Sequence, residues 1–200
     1  MNLFDYSDEE LLAFAKEKSQ GLAAAVDGAA AAAGILHVLQ RFTISDLQII
    51  GANIRYEVEK LPEPYRSRYR PYASDLLDKY HECIAAAKAG TRFEIIDEEL
   101  WKSYWYSAAE HLSEDTEDFT DELPRPCTSR LAGKFFYRLV YGYVMLLAGK
   151  PGHPVGTPFP GGWKVLEEKG VILCPIRDKE KDLPLALCNF CPAVQDERCR

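Results

Sequence analysis

Over the first 150 residues, apolar side chains recur at three- and four-residue steps, the period that gathers them on one side of an α-helix. Leu47, Ile50, Ile54, Val58 and Leu61 form the clearest stripe. Leu11, Leu12, Phe14 and Ala15 supply an earlier one, and the alanine-rich stretch 22–40 favours helix and close approach to neighbours. Further stripes run through Leu76, Leu77, Tyr80, Cys83, Ile84 and Ala87, and through Leu100, Trp101, Tyr104, Trp105, Ala108 and Leu112. Phe135, Phe136, Leu139, Val140, Tyr143, Val144, Leu146 and Leu147 leave little polar face, which places their helix at the centre of a bundle.

The polar residues between these stripes punctuate them. Ser7 with Glu10, and Ser45 with Gln48, have the capping-box spacing. Pro62 and Pro64 close the Leu47–Leu61 helix, Pro71 starts the next and Gly90 ends it. Asp97 and Thr128 are placed to cap two more helices, and Gly149 and Pro151 close the last. Over 113–126, Glu114, Asp115, Glu117, Asp118, Asp121 and Glu122 occur with a single base at Arg125, as a solvated connection would.

The helical period stops at Lys150. Residues 151–162 hold four prolines and four glycines, a stiff linker with Phe159 and Trp163 as apolar anchors. Trp163–Leu166 and Val171–Cys174, joined by Glu167–Gly170, read as a short β-hairpin. The expected fold is mainly α: a helical bundle over 1–150, and a small C-terminal β-hairpin and cysteine lobe over 151–200.

Charge narrows the function. A net charge of −7 argues against a protein that coats nucleic acid, whose affinity comes from neutralising phosphates. Arg66, Arg68 and Arg70, interleaved with Tyr65, Tyr69 and Tyr72, are the one cluster suited to RNA; against the acidic background they read as a solvated helix start. The acidic N-terminus lacks the basic-then-apolar pattern of a secretion signal, and Lys134 and Arg138 interrupt the apolar run 131–148. A cytoplasmic protein without a membrane span is expected. Nucleotide-binding, zinc-protease and serine-hydrolase signatures are absent from the sequence.

Six cysteines in a reducing compartment point to metal binding or thiol chemistry before structural disulfides. Cys188 and Cys191 form a C-x-x-C pair, whose spacing lets both sulfurs turn to one point. Cys174, ending the hairpin, can bring a third. Zinc is the expected metal, with His153, Cys199 or Cys127 as the fourth ligand; an iron–sulfur cluster on Cys174, Cys188, Cys191 and Cys199 is the alternative. A redox pair or plain buried cysteines are further readings. His37 and His111 read as helix-borne histidines without a metal role, and Asp78 with His81 is a single pair where di-iron bundles need more.

The run Gly156-Thr157-Pro158-Phe159-Pro160-Gly161-Gly162, then Cys174-Pro175, then Ala186-Leu187-Cys188-Asn189-Phe190-Cys191 with Gln195, resembles an uncharacterised conserved protein family of methanogenic archaea. The resemblance covers about residues 153–195 and implies an archaeal cytoplasmic protein with a helical body. The family brings no activity. Cys199 lies beyond the similar segment and His153 opens it, which favours His153 as fourth ligand. Two functions are expected on this footing: a binding or scaffold module with a structural zinc lobe, or an enzyme or redox protein built on a cluster or an open metal site. Contact with RNA is a third, weaker one.

Overall fold

The structure, a computed structural model, describes residues 3–114, 127–183 and 186–199. It is mainly helical, with one small sheet near the C-terminus. The helices are α1 (Asp8–Ala23), α2 (Gly28–Leu39), α3 (Ile44–Glu59), α4 (Tyr65–Tyr69), α5 (Asp75–Lys88), α6 (Glu98–Glu114) and α7 (Cys127–Leu146). The acidic connection expected over 113–126 lies outside the described residues from 115 onward, and the side chains of Cys127 and Thr128 are likewise outside the description.

Polar residues set the helix starts. Ser7 and Glu10 form the expected capping box of α1, and the Asp97 carboxylate accepts from the Leu100 amide at 2.9 Å at the start of α6. The second box is displaced. Thr43, not Ser45, is the N-cap of α3, and Asp46 is its reciprocal partner, accepting from the Thr43 amide at 2.6 Å. The three-residue spacing holds in both frames; Asp46 offers a carboxylate where Gln48 has an amide, and it is buried against the cap. Pro71 does not start α5: it is the second residue of a 3-10 turn, Arg70–Tyr72, and α5 begins three residues after that turn, at Asp75. Thr128 falls one residue inside α7.

Helix α7 runs through the middle, packing against α1, α2, α5 and α6. Phe135, Phe136, Leu139 and Val140 of α7 and Trp101, Tyr104 and Trp105 of α6 are all fully buried in one core. Two of these rings carry polar atoms that find partners: the Trp101 indole donates to the Leu22 carbonyl at 2.7 Å, and the Tyr104 hydroxyl donates to the Arg138 carbonyl.

The C-terminal segment forms a three-stranded sheet, β1 (Leu166–Glu168), β2 (Val171–Cys174) and β3 (Val194–Gln195), in that order. β1 and β2 pair antiparallel across Lys169 and Gly170, both at positive φ, the two-residue turn whose twist suits a hairpin. β3 returns parallel to β2, with Leu173 opposite Val194. Val165, Cys174 and Ala193 make a small core of their own. Phe190 does not join it. It enters the main core and meets the Tyr104 ring edge-on at 5.0 Å.

The linker docks this sheet differently from expectation. Phe159 packs on the small core, but Trp163 is 43% exposed and belongs to neither core. Polar bonds hold the linker in place of that ring. The Lys79 ammonium donates to the Gly152 carbonyl and the Tyr65 hydroxyl to the Pro158 carbonyl at 3.3 Å. Gly156 sits at φ +92°, and a Cβ there would lie 2.5 Å from the Tyr72 hydroxyl oxygen, so close approach requires glycine.

Candidate functional site

The seam between helical body and sheet holds a buried charged group. Lys79 is 7% exposed on the face of α5 that also carries Tyr80 and Cys83. Its ammonium pairs with Asp75 one turn earlier and lies 5.0 Å from the Tyr141 ring centroid. Burial holds its pKa below the ordinary value, while Asp75 and the nearby Cys191 act the other way. The Tyr141 hydroxyl reaches Asp75 at 3.4 Å, and burial raises the phenol pKa well above its usual value.

Beside this group lies a cavity of about 60 Å³, lined by Cys174, Cys188, Cys191, His153, Arg177, Tyr137 and Tyr141 among others. The three sulfurs come from separate pieces: the end of β2, the 3-10 turn Leu187–Phe190, and the residue after it. Burial and the neighbouring Cys174 and Cys191 sulfurs push the Cys188 thiol up to about 11. Burial also raises Cys174, opposed by the amides of Ile176 and Arg177, which face its sulfur. The Gly152 amide donates to the Cys191 sulfur at 3.3 Å. Arg177 is fixed by the Cys191 carbonyl, 3.2 Å from its Nε. The described cysteines are all free thiols. Among the described residues, no three His, Cys, Asp or Glu side chains stand in an arrangement that could hold a metal ion. The sulfurs surround a common space without having closed on it.

His153 is the hinge of the site. It lines the cysteine cavity, a second cavity of about 180 Å³ beside Asp75 and Tyr72, and a groove of about 590 Å³ between α3, α4, α7 and the linker. Its ring stands edge-on to Phe159 at 5.2 Å. Burial, then the Lys79 charge, lower its pKa, so the imidazole is neutral at pH 7. Tyr137 lines the same three spaces, which explains how a crowded residue is still 37% exposed.

The structure thus places Cys174, Cys188, Cys191 and His153 around one space. It does not bring Cys199 there: that residue is buried in the last 3-10 turn, its amide bonded to the Asp196 carbonyl at 3.0 Å. The arginine–tyrosine cluster is also rearranged. Arg66 pairs with Glu63 at 2.9 Å and Arg70 with Glu59 at 2.8 Å, while Tyr65 and Tyr69 line the groove. His37 and His81 lie exposed on their helices.

Sequence reasoning missed Lys79, Asp75, Tyr137 and Tyr141. A signal existed for the first pair: Lys79 lies three residues after Leu76 and four before Cys83, on the buried stripe, with an acid four residues ahead of it. Tyr137 and Tyr141 share the four-residue step on α7, but nothing in the pattern separates a cavity-lining tyrosine from a core one.

Residues 32–196 match the family described as "Uncharacterized protein conserved in archaea (DUF2115)". Among known proteins, the chain is similar to a UPF0305 protein of Methanothermobacter thermautotrophicus, 46% identical over 59 residues, 30% of this chain and 36% of the relative. A UPF0305 protein of Methanopyrus kandleri is 44% identical over 54 residues, 27% of this chain and 38% of the relative. These matches span little more than a third of each relative's length. A longer match, to a UPF0305 protein of Methanococcus maripaludis, is 26% identical over 160 residues, 76% of this chain and 88% of the relative. No solved structure matches. The resemblance to a conserved family of methanogenic archaea is thereby established, and no helix among the described residues is long and apolar enough to cross a membrane.

Proposed function

The chain belongs to the DUF2115 family of proteins conserved in archaea, and on that footing we propose that it is a cytoplasmic binding or scaffold module whose C-terminal lobe is fastened by zinc. Cys174, Cys188 and Cys191 would hold the ion, with His153 as fourth ligand. One observation carries this reading: these four side chains, up to 38 residues apart, line a single small cavity at the seam.

Their chemistry fits the ion. Three thiols and an imidazole make a closed structural zinc set. The amides of Gly152, Ile176 and Arg177 act on Cys191 and Cys174, the kind of support that steadies a thiolate ligand. Burial and mutual repulsion disfavour ionised thiols at this spot, and a dication reverses that balance. When bound, zinc would supply a fixed cross-link between β2, the Cys188–Cys191 turn and the linker. Lys79 and Arg177 would offset the remaining thiolate charge.

A second reading follows from His153 lining both the cysteine cavity and the groove. With the imidazole turned toward the groove, the same three thiolates would leave an open metal position facing it, as an enzyme needs. An iron–sulfur cluster would need a fourth thiol, and Cys199 is not among the residues lining the cavity.

Metal content and visible spectrum after anaerobic purification test the proposal. The expected protein is colourless with one zinc per chain, and Cys188→Ser and Cys191→Ser variants lose it. Chelator should then abolish amide-exchange protection in residues 164–195 and leave α7 protected. Metal-free protein whose lobe is indifferent to chelator would end the reading; brown protein with iron and sulfide would replace zinc by a cluster.

A further inference from the structure

The groove on the far side of His153 supports an inference that does not depend on the metal. We propose that it binds a small uncharged organic molecule with an apolar body and a carbonyl oxygen at one end, the carbonyl directed inward toward Tyr69 and Tyr137. The space of about 590 Å³ is that of a ligand pocket, for which roughly 300–1,000 Å³ is usual. One wall is the stripe Ile50, Ile54, Val58 and Leu61; Leu76 and Phe159 extend it. This stripe is the clearest helical period in the sequence, yet only part of it is covered by protein. Ile50 and Val58 are buried, while Ile54 and Leu61 stay partly open to the cavity.

The groove's polar lining is Asn53, Glu57, Lys134, His153 and three tyrosines, and Glu57 and Lys134 already have partners. The Tyr65 hydroxyl is already committed to the Pro158 carbonyl. The hydroxyls of Tyr69 and Tyr137 have no hydrogen-bond partner among the described residues, although both line the groove. Burial raises the pKa of each, so both remain O–H donors at neutral pH. Their natural partner is an acceptor oxygen.

Charge decides which acceptor. The cations around this end are already engaged: Lys79 is held by Asp75 and the Gly152 carbonyl, and Lys134 and Arg138 each have a partner of their own. Asp75 lines the adjoining cavity and raises the Tyr69 pKa by its negative charge. His153 is neutral. A carboxylate arriving here would meet like charge without a free counter-ion; a ketone, ester or amide carbonyl would meet two donors.

The test uses 6-propionyl-2-dimethylaminonaphthalene, a fluorescent ketone whose emission reports its surroundings. It should bind saturably with one site per chain. Tyr69→Phe and Tyr137→Phe should each weaken it about 3–10-fold, the range of one neutral hydrogen bond, and leave the binding of 2-ethylnaphthalene unchanged. 2-Naphthoate should bind more weakly than the ketone. Ile54→Trp, which fills the groove, should abolish binding while circular dichroism and thermal unfolding confirm the fold. Undiminished ketone binding in Ile54→Trp, no effect of either phenylalanine variant, or tighter binding of naphthoate would each overturn the proposal. The ketone titration is read on the protein as purified, whatever metal it holds, so failure of the zinc reading is told apart from failure of this one.

Discussion

A lysine that is 7% exposed must be held by something, and Lys79 is held three ways: by the Asp75 carboxylate, by the Gly152 carbonyl and by the face of Tyr141. Its lowered pKa says that burial outweighs these attractions, so the ion pair is a costly fixture whose value is in joining α5 to the linker. Removing one partner strands the other. Lys79→Met should destabilise the protein by about 3–5 kcal/mol in urea unfolding, and Lys79→Met/Asp75→Asn should recover part of that loss. Equal instability of the single and double variants would mean that the pair is not coupled. At this scale the sequence was only half readable. Cys174, Cys188 and Cys191 stand out by residue type and spacing, whereas the partner of a buried lysine depends on the Gly152 carbonyl, 73 residues away.

Elements were read more securely than their edges. The stripes of α1, α3, α5, α6 and α7 all correspond to helices, because a 3.6-residue period with one face buried leaves a clear mark. Their starts depend on one side-chain bond each, and neighbouring hydroxyls compete. At α3 the competition can be measured. Thr43→Ala should cost about 1 kcal/mol, the usual worth of an N-cap, while Ser45→Ala, at an exposed position inside the helix, should change stability by less than about 0.5 kcal/mol. Reversed magnitudes would return the cap to Ser45. The linker was the least legible element. Trp163 looks like an anchor by hydrophobicity, but its ring is half exposed, and the linker's Gly152 and Pro158 carbonyls take bonds from Lys79 and Tyr65 instead.

For the molecule as a whole, the shared core matters most. Phe190 packs with Tyr104, so in protein whose lobe is intact, heat or denaturant should unfold the sheet and the helices together. Their common stability should depend on alkaline pH. Burial pushes the Cys83 thiol up from an ordinary 9.0 to about 12, and the adjacent Tyr143 phenol, by burial and then by Cys83 and Glu82, from 10.0 to about 12. Both folded-state values exceed the unfolded ones, so the folded protein retains protons that the unfolded chain releases. The contribution is therefore intact below about pH 9 and is lost as pH rises toward 12. Denaturation midpoints measured from pH 7 to 11 should fall above 9, and Cys83→Ala should flatten the first part of that fall; a level profile would contradict the assignment.

The parallel pairing of β3 with β2 also has a thermodynamic consequence. With Leu173 opposite Val194, and the Asp196 amide on the Cys174 carbonyl at 3.0 Å, the intervening chain is a ring shut by backbone bonds. Cys188 and Cys191 ride on that ring, with Cys174 at its clasp. The entropy of bringing these distant positions together has already been surrendered in forming the clasp, so any guest that gathers the sulfurs has only side-chain rotations left to arrest.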